Sequence, residues 1–221
     1  MCYNCAMKTS NGRSVLVTGG LTRLGAAIAD GLRGRGWRVI VSSHREGCGA
    51  DVVADLSDPS GAARLYAAAL ALAPDLCAIV NNAALFRGDP AVLEAVNLTA
   101  PRKLTTLLAG REGIVGSVVN ILDSRILAPP AAAETPYEAT KRALLAETRR
   151  CAALFAQTLR VNAVAPGPVL PPEGERVPAG DMLLDVRPAK EDVADAVAYL
   201  LDAKSVTGTV IPVDSGQHLI G

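Results

Sequence analysis

The sequence predicts a single α/β domain in which helices cover both faces of a parallel sheet. Short apolar segments alternate with segments whose apolar residues recur at helical spacing, which is typical of strands joined by helices. The strand-like segments are continuous Val, Ile and Leu runs, as expected of strands buried on both faces. No linker or internal repeat divides the 221 residues. We therefore expect one doubly wound domain over residues 13–221, after a disordered leader over residues 1–12.

Each predicted strand is a short, mainly apolar segment, whereas the predicted helices carry apolar residues at helical spacing. The predicted strands are residues 14–18, 37–42, a short segment from 52, 76–81, 114–121, 159–164 and 209–213. The predicted helices are residues 24–32, 60–73, 137–157 and 191–201.

Two stretches depart from this alternation. About nine residues separate the second and third strands, where a parallel crossover usually takes a dozen or more, so a helix is expected to be missing there. Residues 166–188 hold six prolines and three glycines. A loop over a functional site is the expected structure for that segment.

Charge and composition exclude several classes of protein. Lys plus Arg and Asp plus Glu both number 22, so no basic excess points to nucleic acid. The longest apolar run, residues 65–73, is far shorter than the ~20 residues of a membrane span. No secretory signal is recognisable, so a cytoplasmic protein is expected. Cys2 and Cys5 form a C-x-x-C pair without the further ligands of a zinc site, and no metal is expected.

A glycine-rich turn, T-G-G-L-T-R-L-G at residues 18–25, follows the first strand and opens the first helix. Such turns hold the pyrophosphate of a dinucleotide, because glycine lets the backbone approach and the helix N-terminus supplies donors. Taken alone, this turn is equally consistent with a tight connection.

Further motifs make the signal more specific. They are N-N-A at residues 81–83, an asparagine at 97, Y-E-A-T-K at 137–141 and P-G at 166–167. Their order and spacing over residues 15–216 resemble the short-chain dehydrogenase/reductase family. The resemblance implies a Rossmann-type fold, a nicotinamide cofactor and Tyr137 with Lys141 as the acid/base pair. It also implies that Asn97 anchors a water relay behind the lysine.

Tyr137 and Lys141 are four residues apart and therefore share one helix face. A phenol with a pKa of ~10 is a poor acid or base until a nearby cation stabilises the phenolate. Lys141 is expected to supply that cation, and the resemblance implies that it also holds the nicotinamide ribose.

Two departures from the commonest family pattern resemble its pteridine reductase branch. Arg23 stands where the glycine turn usually has a glycine, and Asp123 stands where a catalytic serine usually follows the fifth strand. Phe86 falls where that branch places an aromatic ring against the pterin, and residues 213–219 resemble its bacterial C-termini. The alternatives are that Phe86 fills the core and that Arg23 contacts only cofactor phosphate.

The catalytic position after the fifth strand is open between two neighbours. Counting back from Tyr137 at the family's spacing reaches Ser124, whereas counting forward from Asn120 reaches Asp123. Asp123 is favoured, because residues 129–133 have room to absorb one insertion.

The segment S-H-R at residues 43–45 favours NADPH. An NAD enzyme normally places an acid at this position to bind the ribose hydroxyls. A hydroxyl and cationic donors suit a 2′-phosphate instead, although Glu46 would oppose it if it faced the same way. Asp55 and Leu56 match the family's adenine-contacting segment.

The sequence thus predicts an NADPH-dependent reductase of a dihydropterin- or dihydrofolate-type C=N bond, acting as a homotetramer by resemblance. Hydride would go from the nicotinamide to carbon and a proton to nitrogen from Tyr137 or solvent, with Asp123 orienting the donor. The alternatives are a carbonyl reductase of ketone or 3-oxoacyl substrates using Ser124, and a dinucleotide-binding sensor without turnover.

The expected catalytic residues are Asp123, Tyr137, Lys141 and Asn97, and the expected substrate-binding residues are Arg23, Phe86, Asp123 and Tyr137. The expected cofactor-binding residues are Gly19, Leu21, Thr22, Arg23, Leu24, Ser43, His44, Arg45, Asp55, Leu56, Asn82, Ala83, Tyr137, Lys141, Pro166 and Gly167.

Overall fold

A computed structural model describes residues 13–128, 134–170 and 181–220. The strands are β1 (Ser14–Val17), β2 (Arg38–Ser43), β3 (Val52–Val53), β4 (Leu76–Asn81), β5 (Gly116–Ile121), β6 (Leu159–Pro166) and β7 (Val210–Val213). The helices are α1 (Arg23–Arg33), α2 (Gly61–Leu72), α3 (Pro90–Glu94), α4 (Ala100–Ala109), α5 (Pro136–Leu154) and α6 (Lys190–Asp202). The strands form one sheet in the order β3-β2-β1-β4-β5-β6-β7, and every pairing is parallel.

The predicted Rossmann-type α/β fold is confirmed, because helices cover both faces of this sheet. Val15 and Val17 of β1 pack with α1 and α6 on one face, where Ile28 and Val197 are fully buried. Leu16 points the opposite way, toward a second apolar layer formed with α2, α4 and α5. Burial on both faces explains why the strands are mainly apolar.

The crossover after β2 is shortened as predicted. Residues 44–51 contain no helix, and β2 pairs directly with the two-residue strand β3. The Asp51 carboxylate accepts a hydrogen bond from the Val41 backbone N–H at 2.8 Å, which ties this connection to the sheet.

The region between β4 and β5 contains structure that the sequence analysis did not identify. There α3 leads through a wide π-helical turn over Ala95–Thr99 into α4. Pro101 lies in the first turn of α4, where its missing N–H costs little. Leu104 and Leu108 of α4 are fully buried.

The sheet order places a crevice where the site is expected. The chain runs from β1 outward to β2 and β3, then returns to place β4 on the other side of β1. Ligands of open α/β sheets bind at the carboxyl ends of strands beside such a reversal.

Two features are absent from the described residues. No helix among them is long and apolar enough to cross a membrane, and no group of their side chains could hold a metal ion. Cys2, Cys5 and the expected leader lie outside them, as do residues 129–133 and 171–180.

Candidate active site

The start of α5 is fixed by a reciprocal pair of hydrogen bonds. The Thr135 hydroxyl accepts from the Glu138 backbone N–H at 3.2 Å, and the Glu138 carboxylate accepts from the Thr135 backbone N–H at 2.9 Å. This capping box satisfies donors that the first helical turn would otherwise leave unpaired. It places Tyr137 in the first turn and Lys141 one turn later, both facing the sheet edge.

Lys141 is buried beneath the site. Its ammonium donates to the backbone carbonyl of Ile121, at the end of β5, over 2.7 Å. Burial lowers the pKa of Lys141 to about 8, although the charge of Asp123 opposes that shift. The Lys141 Nζ lies 5.8 Å from the centre of the Tyr137 ring.

The Tyr137 hydroxyl donates to Asp123 Oδ2 at 3.1 Å. Burial, and then the neighbouring carboxylate, raise the pKa of Tyr137 well above its ordinary value. This differs from the sequence-based expectation that Lys141 favours the phenolate, because burial and the carboxylate outweigh the buried cation. The raised pKa favours the protonated phenol in the free site.

Arg125 holds the Asp123 carboxylate from the other side, a contact that the sequence analysis missed. Its backbone N–H and Nε donate to Oδ1 at 3.0 Å each, and its Nη2 donates to Oδ2 at 2.7 Å. Burial alone would raise the pKa of Asp123, but these donors and the guanidinium charge lower it overall. The D-S-R sequence after a strand was the available signal, because an aspartate commonly accepts from the N–H two residues on.

Ser124 has a different environment. Its side chain is 1% exposed, and its Oγ has no hydrogen-bond partner among the described residues. The Oγ lies 3.5 Å from where a Cβ would stand on Gly167, whereas Asp123 contacts Tyr137. The arrangement therefore favours Asp123 over Ser124 as the partner of the phenol, and the catalytic role of each remains a prediction.

Phe86 lies at the site and does not fill the core. Its side chain is 52% exposed, and its ring stands edge-on to the Tyr137 ring with centres 4.8 Å apart. The guanidinium carbons of Arg125 and Arg87 lie 5.2 and 5.8 Å from the Phe86 ring centre. One aromatic surface thus remains available beside the tyrosine.

Asn97 lies in the wide turn and is fully buried. Its Oδ1 accepts from the Leu85 N–H, and its Nδ2 donates to the Leu85 carbonyl, both at 2.8 Å. The Nδ2 also donates to the Thr140 hydroxyl at 3.1 Å. Asn97 therefore connects the segment before Phe86 to the residue next to Lys141.

The glycine turn and the end of β4 are built against each other. Gly19 has a left-handed φ of 63°. A Cβ on Gly25 would overlap the Gly19 carbonyl oxygen and lie 2.6 Å from Asn82 Nδ2. That amide donates to the carbonyls of Thr18 and Gly19, while the Thr18 hydroxyl accepts from the Asn82 and Ala83 N–H groups.

The N-terminus of α1 is open to an anion. Thr22 precedes the helix without a side-chain capping bond, and the first turn carries no acid. Arg23 begins the helix with a left-handed φ of 54°. Leu21 borders the same end in a cleft of about 530 Å³, whereas the partly buried Leu24 side chain packs against the core.

The ends of β2 and β3 form a second polar group. Ser43 Oγ accepts from the Arg45 N–H at 3.1 Å, and the side chains of His44 and Arg45 are exposed. Hydrogen bonds from Ser57, with a smaller contribution from His44, lower the pKa of Asp55. The Leu56 side chain packs against the core.

The end of β6 completes the edge. Pro166 is the last residue of β6, and Gly167 lies so close to Asp214 that an added Cβ would be 2.7 Å from the Asp214 Cβ. The Asp214 carboxylate accepts from the backbone N–H groups of Gly216 and His218. The segment after β7 therefore closes against the loop after β6.

Comparisons with known proteins place the chain among reductases. A family model described as Enoyl-(Acyl carrier protein) reductase matches residues 21–218. A Streptomyces violaceoruber protein named as ketoacyl reductase 2 of the granaticin polyketide synthase is 32% identical, covering 93% of this chain and 96% of that protein. Dihydromonapterin reductase of Enterobacter sp. (strain 638) is 29% identical, covering 94% and 97%.

A solved structure of a reductase is also similar to nearly the whole chain. Alternative dihydrofolate reductase 1 from Brucella canis, complexed with NADP, superposes with a TM-score of 0.82 at 32% identity, covering 95% of both chains.

Proposed function

The chain belongs to the short-chain dehydrogenase/reductase family and is an oxidoreductase of it, and from that premise we propose that it uses NADPH to reduce a C=N bond of a dihydropterin or a dihydrofolate. The observation that carries the proposal is the hydrogen bond from Tyr137 to Asp123 beside the exposed ring of Phe86. A pterin has a flat ring for stacking and a polar edge for charged partners, which suits these groups.

The residues present fit a dinucleotide. Only glycine fits at position 25 without displacing the turn, and the first turn of α1 leaves donors for a pyrophosphate. The partly buried Ser43 and the exposed side chains of His44 and Arg45 suit a 2′-phosphate, and a relative in the same family is complexed with NADP. When bound, NADPH supplies the hydride.

The protein's own groups supply the proton and the positioning. A raised pKa keeps Tyr137 protonated, so its hydroxyl is a donor to the nitrogen of the reduced bond. The O–H bond breaks as the new N–H bond forms. Asp123, held ionised by Arg125, orients the hydroxyl, and Lys141 contributes positive charge beneath the ring.

A carbonyl reductase is the second candidate, because the ketoacyl reductase relative is 32% identical over nearly the whole chain. In that case Ser124 and Tyr137 would act on a ketone or 3-oxoacyl group. The buried position of Ser124 makes this candidate the weaker one.

NADPH oxidation by the purified protein tests the proposal, measured with dihydrobiopterin, dihydrofolate and a 3-oxoacyl panel. We expect the dihydropterin or dihydrofolate to be reduced with the highest kcat/KM. Tyr137→Phe should abolish turnover while NADPH binding persists, because the hydroxyl and not the ring carries the proton. A 3-oxoacyl substrate reduced faster than every pterin would favour the second candidate.

By the same family resemblance, we also propose that the protein acts as a homotetramer in the cytoplasm. Size-exclusion chromatography with light scattering tests the assembly, and a monomeric mass would contradict it.

A further inference from the structure

We propose that Arg125 is a positioning residue of this site: it fixes the Asp123 carboxylate and offsets its charge while Tyr137 gives up its proton. The inference rests on the proposed function only in using Tyr137 as the proton donor. It would apply equally to a C=N and to a C=O substrate.

The hydrogen bonds of Asp123 leave its carboxylate little freedom. Arg125 directs its backbone N–H and Nε to one oxygen and its Nη2 to the other, at distances of 2.7–3.0 Å. The oxygen that receives Nη2 also accepts from the Tyr137 hydroxyl. Two-point binding of this kind fixes both the position and the plane of a carboxylate. The direction of the phenolic O–H is therefore set through Arg125.

Arg125 also has an electrostatic role. After proton transfer, a phenolate on Tyr137 would stand beside the ionised Asp123 in a largely buried place, and two neighbouring anions repel strongly there. Two cations lie close to the tyrosine ring: the Arg125 guanidinium carbon at 5.6 Å from its centre and Lys141 Nζ at 5.8 Å. Arg125 is the one that touches the carboxylate.

The other charged groups near this pair are few. Glu138 on α5 acts on both Asp123 and Arg125, but its carboxylate is held by the capping box of Thr135. Arg87 faces the same Phe86 ring at 5.8 Å, and within the described residues it makes no hydrogen bond or ion pair. Arg87 therefore provides a matched control: it is a cation at the same ring without contact to Asp123.

The experiment compares Arg125→Gln, Arg125→Lys and Arg87→Gln with the unmodified protein. We expect Arg125→Gln to lower kcat at least about tenfold, a part of the usual contribution of a positioned proton donor. Its KM for NADPH should not change. The acid limb of its kcat–pH profile should move to higher pH. Without the Arg125 guanidinium, the burial of Asp123 raises the pKa of that carboxylate. Arg125→Lys should restore part of kcat, and Arg87→Gln should keep all of it.

Several results would overturn the proposal. One is an Arg125→Gln variant with the parent kcat and the parent acid limb. Another is an equal loss in Arg87→Gln, which would assign the effect to general positive charge at the mouth of the site. Should Arg125→Gln fail to fold by circular dichroism, Arg125→Lys becomes the test. A lysine variant with the full parent kcat would count against the proposal, because an ammonium does not bind both carboxylate oxygens as the guanidinium does.

A failure of the proposed function can be distinguished from a failure of the Arg125 proposal. If the unmodified protein reduces no pterin or folate but reduces a 3-oxoacyl substrate, the same three variants are measured on that substrate. The expected pattern among them is unchanged.

Discussion

Two adjacent side chains after β5 meet opposite environments, and this decides which chemistry the site favours. Asp123 is extended and meets the tyrosine, whereas Ser124 begins a short 3-10 turn and points inward toward Gly167. Counting back from Tyr137 points to Ser124, but this count assumes a connection of fixed length between β5 and α5. The contacts of the two side chains, and not their spacing from Tyr137 in the sequence, distinguish Asp123 from Ser124.

Substitution of the two neighbours separates the two candidate functions. Asp123→Asn should lose most activity on dihydropterins, because it removes the charge that orients the phenol, whereas Ser124→Ala should lose little. Steady-state kinetics on a dihydropterin and a 3-oxoacyl substrate provide the measurement. A dominant effect of Ser124, together with a preference for the 3-oxoacyl substrate, would rule out the pterin assignment.

Phe86 tests substrate stacking independently of the proton donor. Phe86→Ala should raise KM for a pterin through lost contact area and a further ~0.5–1.5 kcal/mol of ring stacking. Phe86→Tyr keeps an aromatic surface and should keep KM near the parent value. Equal KM values for all three proteins would show that the ring does not contact the substrate.

Lys141 gives the site a pH dependence with a definite sign. Its pKa is lowered to about 8, so its positive charge is present below that pH and is lost as the pH rises through it. Since the cation supports proton release from Tyr137, kcat/KM should fall on the alkaline side with a midpoint near 8. Activity that continues to rise to pH 10 would contradict a need for this charge.

At the scale of elements, the strands were predictable and the two helices between β4 and β5 were not. Burial on both faces makes β1, β4, β5 and β6 mainly apolar, so their positions follow from short apolar runs in the sequence. The apolar spacing of α4 was present in Leu104 and Leu108, but Pro101 is the usual sign of a helix boundary. The wide turn over Ala95–Thr99 that joins α3 to α4 has no sequence signature as clear as a glycine turn.

The junction between the glycine turn and α1 gives a test at this scale. Gly25→Ala would drive a methyl group into the Gly19 carbonyl, so it should weaken NADPH binding and cost ~1–3 kcal/mol of stability. Gly34→Ala is the matched control, because its Cβ would meet only ordinary contact at 3.5 Å in helical backbone. That variant should be neutral or gain ~0.4–1 kcal/mol. Urea unfolding and NADPH titration measure both, and equal behaviour would contradict the packing argument.

At the scale of the whole molecule, the strand order carries the site. Residues far apart in the chain converge because β1, β4, β5 and β6 end at one edge of the sheet. The glycine turn, Asn82, Asp123 and Gly167 could therefore be assigned to one region from sequence, given a parallel sheet. The contact of the Arg125 guanidinium with both oxygens of Asp123 could not, because it depends on the side-chain directions within one short turn.

The ends of β2 and β3 allow a test of cofactor choice that is read on the whole protein, because a ligand that binds only the folded state raises its stability. Arg45→Ala should weaken NADPH by ~1.5–3 kcal/mol, or about 10- to 150-fold, and leave NADH nearly unchanged, since only NADPH offers a phosphate to the guanidinium. Titration calorimetry and the rise in Tm with each cofactor provide the measurement. Arg33→Ala removes another exposed arginine, one paired with Asp30, and should change neither cofactor. Equal weakening of both cofactors by Arg45→Ala, or tighter binding of NADH by the unmodified protein, would show that no phosphate is held there.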